Sequence, residues 1–179
     1  MNPEIWWHVA RASGIISWLM LTATVLWGIV LATDLFPEHR RPAWLSDAHR
    51  WLAALSLWFL GLHLGALVAD SYAEFGLAEL AIPMASEWKP VPVAVGVVSM
   101  WLLLVVQATS LAMRRLPRRL WRLVHLSSYL AFWLASLHGT LAGTDAASPI
   151  YTLTSILTLL AVVFGVIYRI LGRRRRASR

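Results

Sequence analysis

The chain has 179 residues, 59% of them hydrophobic, six histidines, no cysteine and a net charge of +7. A mean hydropathy of +0.63 excludes an ordinary soluble domain. The lack of cysteine excludes disulfides, thiolate metal ligands, iron–sulfur sites and any cofactor attached covalently through cysteine. The basic residues flank apolar stretches, so the positive charge is read as a topology determinant and no nucleic-acid partner is expected.

Five stretches reach the roughly 20 residues that a membrane crossing requires: 14–33, 50–69, 91–113, 120–142 and 150–171. The expected fold class is all-α, a polytopic membrane helical bundle of about five transmembrane helices, forming a single domain over residues 1–179. The first stretch has no basic region before it and no cleavage site after it, so it is read as a span and not as a signal peptide. Pro90, Pro92, Pro117 and Pro149 stand at span entrances, where a missing backbone donor is tolerated. The eleven tryptophans suit a protein with two membrane interfaces.

Charge orients the spans. Arg114, Arg115, Arg118, Arg119 and Arg122 lie between the third and fourth spans, and RRRRASR follows the fifth. Both should be cytoplasmic. The segment 70–89 carries Asp70, Glu74, Glu79 and Glu87 against one lysine, and the fourth connection holds Asp145; both should lie outside. The expectation is a multi-pass cell-membrane protein with its N-terminus outside and its C-terminus in the cytoplasm. The stretch YAEFGLAELAIPMASEW at 72–88 is too short and acidic to span and is read as an amphipathic or re-entrant piece at the outer interface.

Four histidines fall in two pairs inside apolar stretches: His49 and His63 are 14 residues apart, His125 and His138 are 13 apart. Ionisable side chains at membrane depth are costly and default to functional candidates. At about 1.5 Å per residue these separations cover roughly 21 and 20 Å, so each pair places one histidine near each face of a hydrocarbon core about 30 Å thick. The charge-derived orientation makes both helices run from inside to outside. His49 then meets His125 near the cytoplasm, and His63 meets His138 near the outside. Two bis-imidazole clamps, one above the other, suit two b-type haems, with His49 and His125 on the inner iron and His63 and His138 on the outer. Helical phase is the difficulty. At about 100° per residue, 14 residues return to within roughly 40° of the starting face, whereas 13 miss it by about 140°.

Gly61, Gly65 and Gly139 flank the histidines, where small residues permit either close approach of a planar group or plain helix packing. Gln107 is read as inter-helix glue. His8 and His39 lie outside the spans and are read as solvated or interfacial. Arg11, in WWHVARASG at the outer mouth of the first span, is either a snorkelling anchor or a guanidinium near haem propionates.

With these residues the chain resembles the ferric reductase-like transmembrane domain family, which includes the membrane parts of NADPH oxidases and ferric-chelate reductases and the haem subunit of bacterial periplasmic methionine-sulfoxide reductase. The family's hallmark is two histidine pairs with thirteen and twelve intervening residues, the spacing of His49/His63 and His125/His138. ARASG at 10–14 is similar to the family's motif on the preceding span. The resemblance implies two haem b groups bound by the four histidines, with Arg11 near haem, and a 13-residue step that the fold accommodates. The chain ends after its arginines and carries no GxGxxG loop, so a separate electron donor is expected, a flavoprotein or a quinol.

The expected function is transmembrane electron transfer, as an oxidoreductase subunit, from a cytoplasmic-side or quinol donor to an external acceptor: a ferric chelate, oxygen or a partner reductase. One alternative is the haem subunit of a periplasmic methionine-sulfoxide reductase system. Another is a haem-free proton or metal-ion transporter with a histidine relay, disfavoured by the scarcity of polar partners within the spans.

Overall fold

The computed structural model describes residues 4–33, 42–70 and 75–177; His39, in the first connection, lies outside them. Six α-helices follow one another: α1 Glu4–Ala32, α2 Ala43–Ala69, the short α3 Leu77–Ala81, α4 Pro90–Leu111, α5 Arg118–Ala142 and α6 Pro149–Ala177. Single 3-10 turns at Met113–Arg115 and Thr144–Ala147 precede α5 and α6. There is no strand among the described residues.

Among the described residues, four segments are long and apolar enough to cross a membrane: Ile5–Ala32, Ala43–Ala69, Pro90–Leu111 and Pro149–Gly172. The chain is therefore an all-helical, multi-pass membrane bundle. The sequence reading counts five spans; α5 is the difference. With 25 residues it is long enough, but two histidines, Ser127, Ser128, Ser136 and Thr140 reduce its apolarity. These hydroxyls cost little in place, because Ser127, Ser136 and Thr140 bond back to the carbonyls of Val124, Phe132 and Ser136.

Proline starts four of the helices, with Pro42 capping α2. Pro90 and Pro149 are first residues of α4 and α6, and Pro117 caps α5, places where no intrahelical N–H bond is lost. Lys89 ends the preceding loop in the left-handed region (φ 44°). Its ammonium reaches the carbonyls of Leu141 and Ala142 at 3.2 and 3.4 Å. That places a cation on the C-terminal dipole of α5 and ties the start of α4 to the end of α5.

The bundle is two antiparallel hairpins. α1 packs chiefly on α2 and α4 chiefly on α5, while α1 also touches α5 and α6. Between α1 and α2, Ser17 and Ser56 exchange hydroxyl-to-carbonyl bonds at 2.9 and 3.2 Å. Between α4 and α5, Ser99 donates to the carbonyl of Ala131 at 2.8 Å. Leu21, Val25 and Ile29 of α1 meet Phe132 of α5 and Val162 of α6 in the central core. Trp58 and Trp133 are exposed on the outside of the bundle, where lipid is their natural solvent, whereas the exposed Trp51 borders the cavity that His49 lines.

Residues 75–88 of the 72–88 stretch fold over one end; residues 72–74 lie outside the described set. Phe75 is buried against Val93, Val97 and Met100, and Trp101 Nε1 donates to the carbonyl of Ala81 at 2.9 Å, pinning α3 onto α4. The piece is a packed flap and not a loose loop.

Phe132 is fully buried and belongs to the cluster that joins three helices. Phe132→Ala should lower stability by about 3 kcal/mol or more, read as an earlier midpoint in a detergent-solubilised unfolding titration. Trp58→Ala, on the outer surface, should leave that midpoint within about 0.5 kcal/mol of the parent.

Candidate functional site

Two cavities lie one above the other inside the bundle, with Leu21 and Leu103 lining both. His63 and His138 line the cavity at the Asp145 end, together with Arg11. His49 and His125 line the cavity at the end that carries Arg122 and Arg50. The histidines thus meet as N-terminal with N-terminal and C-terminal with C-terminal, so α2 and α5 run in the same direction. The rings of His49 and His125 have centroids 6.1 Å apart.

A common device holds the rings. Nδ1 of His63 lies 2.8 Å from the carbonyl of Ala10, and Nδ1 of His138 lies 2.8 Å from the carbonyl of Pro92. A carbonyl only accepts, so Nδ1 carries the proton and Nε2 keeps the lone pair. Each ring fits because the residue one turn further along is glycine. A Cβ on Gly14 would sit 3.0 Å from His63 Nδ1, and one on Gly96 would sit 2.6 Å from His138 Nδ1. His49 occupies the same kind of place: a Cβ on Gly28 would lie 3.2 Å from its Cε1, and the backbone of Thr24 is its neighbour. No hydrogen bond to Nδ1 of His49 forms among the described residues. His125 differs, since its Nδ1 meets the hydroxyl of Ser110 at 3.3 Å.

These glycines are the residues that the histidine pattern alone did not pick out. Gly61 and Gly65 do flank His63 in sequence, yet a Cβ on either would touch nothing within 4 Å. Gly139 faces Tyr151, whose hydroxyl lies 2.7 Å from where its Cβ would be. A signal for the effective set was present. Gly14 and Gly28 are 14 residues apart, as are His49 and His63, and GIIS at 14–17 returns as GVVS at 96–99.

The phase difficulty is met without a break in α5, which is continuous α-helix from Arg118 to Ala142. Both of its histidines lean on α4, at Pro92 and at Ser110. A side-chain hydroxyl extends from α4 at the site where the other three rings meet a glycine.

Arg11 is committed to a partner. Its Nε donates to Asp145 Oδ2 at 2.9 Å and its Nη2 to Asp145 Oδ1, a two-pronged ion pair between residues 134 positions apart. The guanidinium holds the Asp145 carboxyl below the usual carboxylate range, against a smaller opposing effect of burial. Trp18 stacks on Tyr151 with centroids 6.2 Å apart and donates from Nε1 to Ser136 Oγ at 2.9 Å, closing the wall beside this cavity. Gln107 lines the other cavity. His8 is exposed.

Gly96→Ala should displace His138, since a ring atom 2.6 Å from a new methyl cannot stay, whereas Gly61→Ala should be silent. Ultraviolet resonance Raman of the imidazoles, or ligand binding at the Asp145-end cavity, would register the difference. The Arg11–Asp145 pair should contribute fully above the unfolded carboxyl value of about 3.9 and fade as pH falls through the lower folded value. Asp145→Asn should therefore cost on the order of 1 kcal/mol at pH 7, with no pH dependence from this pair between 5 and 8.

No curated protein and no solved structure matches the chain. A family profile does: that of the ferric reductase like transmembrane component covers residues 13–136. It takes in His49, His63 and His125 and stops just short of Arg11 on one side and His138 on the other. With more than two thirds of its length inside that profile, the chain belongs to the ferric reductase-like transmembrane family.

Proposed function

We propose that the chain carries electrons across a membrane through two b-type haems, the first held by His49 and His125 and the second by His63 and His138. The observation that carries this reading is the second pair. Two histidines on different helices line one cavity, and each spends its Nδ1 proton on a backbone carbonyl. That is the arrangement which leaves Nε2 as a metal ligand and fixes the ring's orientation. The first pair agrees in scale: imidazoles about 2.0–2.1 Å from a shared metal have ring centres about 6 Å apart, against 6.1 Å here. Among the described residues no three metal-ligating side chains converge. Two axial ligands are all that a macrocycle requires of the protein.

When bound, the haems would supply one-electron exchange, with His49 and His125 holding one and His63 and His138 the other. The chain's own residues do the rest. Ala10 and Pro92 orient the outer ligands. Arg11, braced by Asp145, makes the outer cavity's rim an ion pair and not a bare cation. Phe75 and Trp88 close the outer cavity under the 75–88 flap. The arginine-bearing end faces the cytoplasm on the positive-inside rule, with the N-terminus outside. Arg114, Arg115, Arg118 and Arg119 are exposed there and suit a docked flavoprotein donor; a quinol is the other donor class. The acceptor outside is a ferric chelate, oxygen or a partner reductase. A haem-free histidine relay fits less well, because His63 and His138 already have their Nδ1 protons fixed to backbone.

Alanine at His63 or His138 should remove one haem and leave the other, halving the pyridine haemochrome yield per chain; an unchanged yield in both variants overturns the ligand assignment. A topology reporter fused after Arg179 should respond as cytoplasmic, and one inserted at Ala146 as external.

A further inference from the structure

The cavity between His49 and His125 has a volume of about 900 Å³ and an unbalanced charge. Four fully charged side chains line it: Asp47, Arg50, Arg122 and Arg169. Asp47 is taken by Arg50 at 3.2 Å. No described carboxylate pairs with Arg122 or Arg169. Arg169 is the telling one. It lies inside the apolar part of α6, where a bare guanidinium is costly. A snorkelling arginine would turn outward. This one turns inward and donates from Nη1 to the hydroxyl of Tyr129 at 2.7 Å. A phenol cannot neutralise it.

A second donor lines the same cavity. Trp121 stacks on His125 with centroids 5.1 Å apart and an interplanar angle of 25°. Its indole N–H is buried and has no acceptor. Buried donors without partners are rare and call for an explanation. Trp121, His125 and Tyr129 are spaced four residues apart on α5, so they form one stripe on one face, with the histidine between the indole and the phenol that braces Arg169. The cavity at the other end offers no such surplus, because Arg11 already holds Asp145.

We propose that Arg169, braced by Tyr129, and the indole N–H of Trp121 form a carboxylate-binding corner that receives the propionates of the haem held by His49 and His125. The assignment rests on the haem reading above. Guanidinium and indole N–H both bind an anion's oxygens by charge-assisted or plain donation. The ligand's own carboxylate supplies the missing counter-charge at membrane depth. A phosphate of an anionic lipid offers the same chemistry from another source, and the test separates the two.

The experiment uses the full chain with His63→Ala, which confines binding to the inner site, in nanodiscs of neutral lipid. Haem and haem dimethyl ester are titrated into the haem-depleted protein. The free acid should bind about tenfold more tightly than the ester, the discrimination expected for one charge-assisted bond. Arg169→Gln should reduce that preference to near unity. Tyr129→Phe and Trp121→Phe should each weaken the preference in part, and Arg169→Lys should keep most of it. If Arg169→Gln fails to fold, the last three variants carry the test. Equal binding of acid and ester by the parent overturns the corner while leaving the haem reading intact. So does a preference that appears only when anionic lipid is added, which would assign Arg169 to a headgroup. Absence of any haem binding in the His63→Ala chain and the parent alike overturns the haem reading itself.

Discussion

An imidazole inside an apolar bundle has to dispose of its N–H, and much of the architecture follows from how this chain does so. A helix carbonyl already accepts one bond from its own helix but keeps a second lone pair. A neighbouring ring can reach that lone pair only if no Cβ stands in the way one turn on. Ala10 with Gly14, and Pro92 with Gly96, meet the requirement for His63 and His138. Thr24 with Gly28 reproduces the setting around His49. Each such contact fixes the distance and rotation between two helices. The pairing of α1 with α2 and of α4 with α5 is therefore set by the histidines as much as by apolar packing.

The two hairpins are versions of one design. Ala10, Gly14, Ser17 and Gly28 of α1 correspond to Pro92, Gly96, Ser99 and Ser110 of α4, each pair 82 residues apart. The serines do the same work: Ser17 bonds the carbonyl of Ser56, and Ser99 bonds the carbonyl of Ala131. On the partner helices, Ser56 and His63 correspond to Ala131 and His138 at an offset of 75, but His49 and His125 are 76 apart. The one-residue slip that makes the second histidine step thirteen instead of fourteen therefore lies between His125 and Ala131. It coincides with the one ring whose partner is a side-chain hydroxyl. A hydroxyl on a rotatable arm tolerates a shifted ring that a fixed carbonyl would miss, so Ser110 is where the phase error is absorbed.

The helices and the pairing of the four histidines across two cavities were legible because both depend on local pattern: apolar length for the spans, spacing for the histidines. α5 shows the limit of apolar length. Its histidines and hydroxyls lower its hydropathy below that of its neighbours, yet Ala131 and Phe132 are among the most deeply buried residues of the bundle. A helix that carries the chemistry is polar on the face it turns inward, and composition cannot see which face that is. The glycines that seat the rings were not legible for a related reason. Proximity in sequence pointed to Gly61 and Gly65, whereas the ring of His63 touches the helix opposite, where Gly14 stands. The bond from Arg11 to Asp145 spans almost the whole chain, and no local pattern announces it.

The two arginines inside the bundle show how charge distinguishes its ends. Arg11 meets Asp145 at the rim of one cavity, and Glu79 adds a second carboxylate there, so that end has no cation in surplus. Arg169 meets only a phenol, and the indole beside it meets nothing, so the other end has donors in surplus. A bundle that merely had to fold would gain by removing Arg169, since an apolar residue there would avoid the cost of desolvating an uncompensated charge. Its inward turn onto Tyr129, one helical turn from His125, is the geometry of a group held ready for an anion that arrives with the ligand. The asymmetry also has a direction. Surplus donors at one site favour an anionic ligand edge there, and the paired charges at the other do not. The two sites, built on one repeated frame, are thereby set apart electrostatically by the side chains that the repeat does not share.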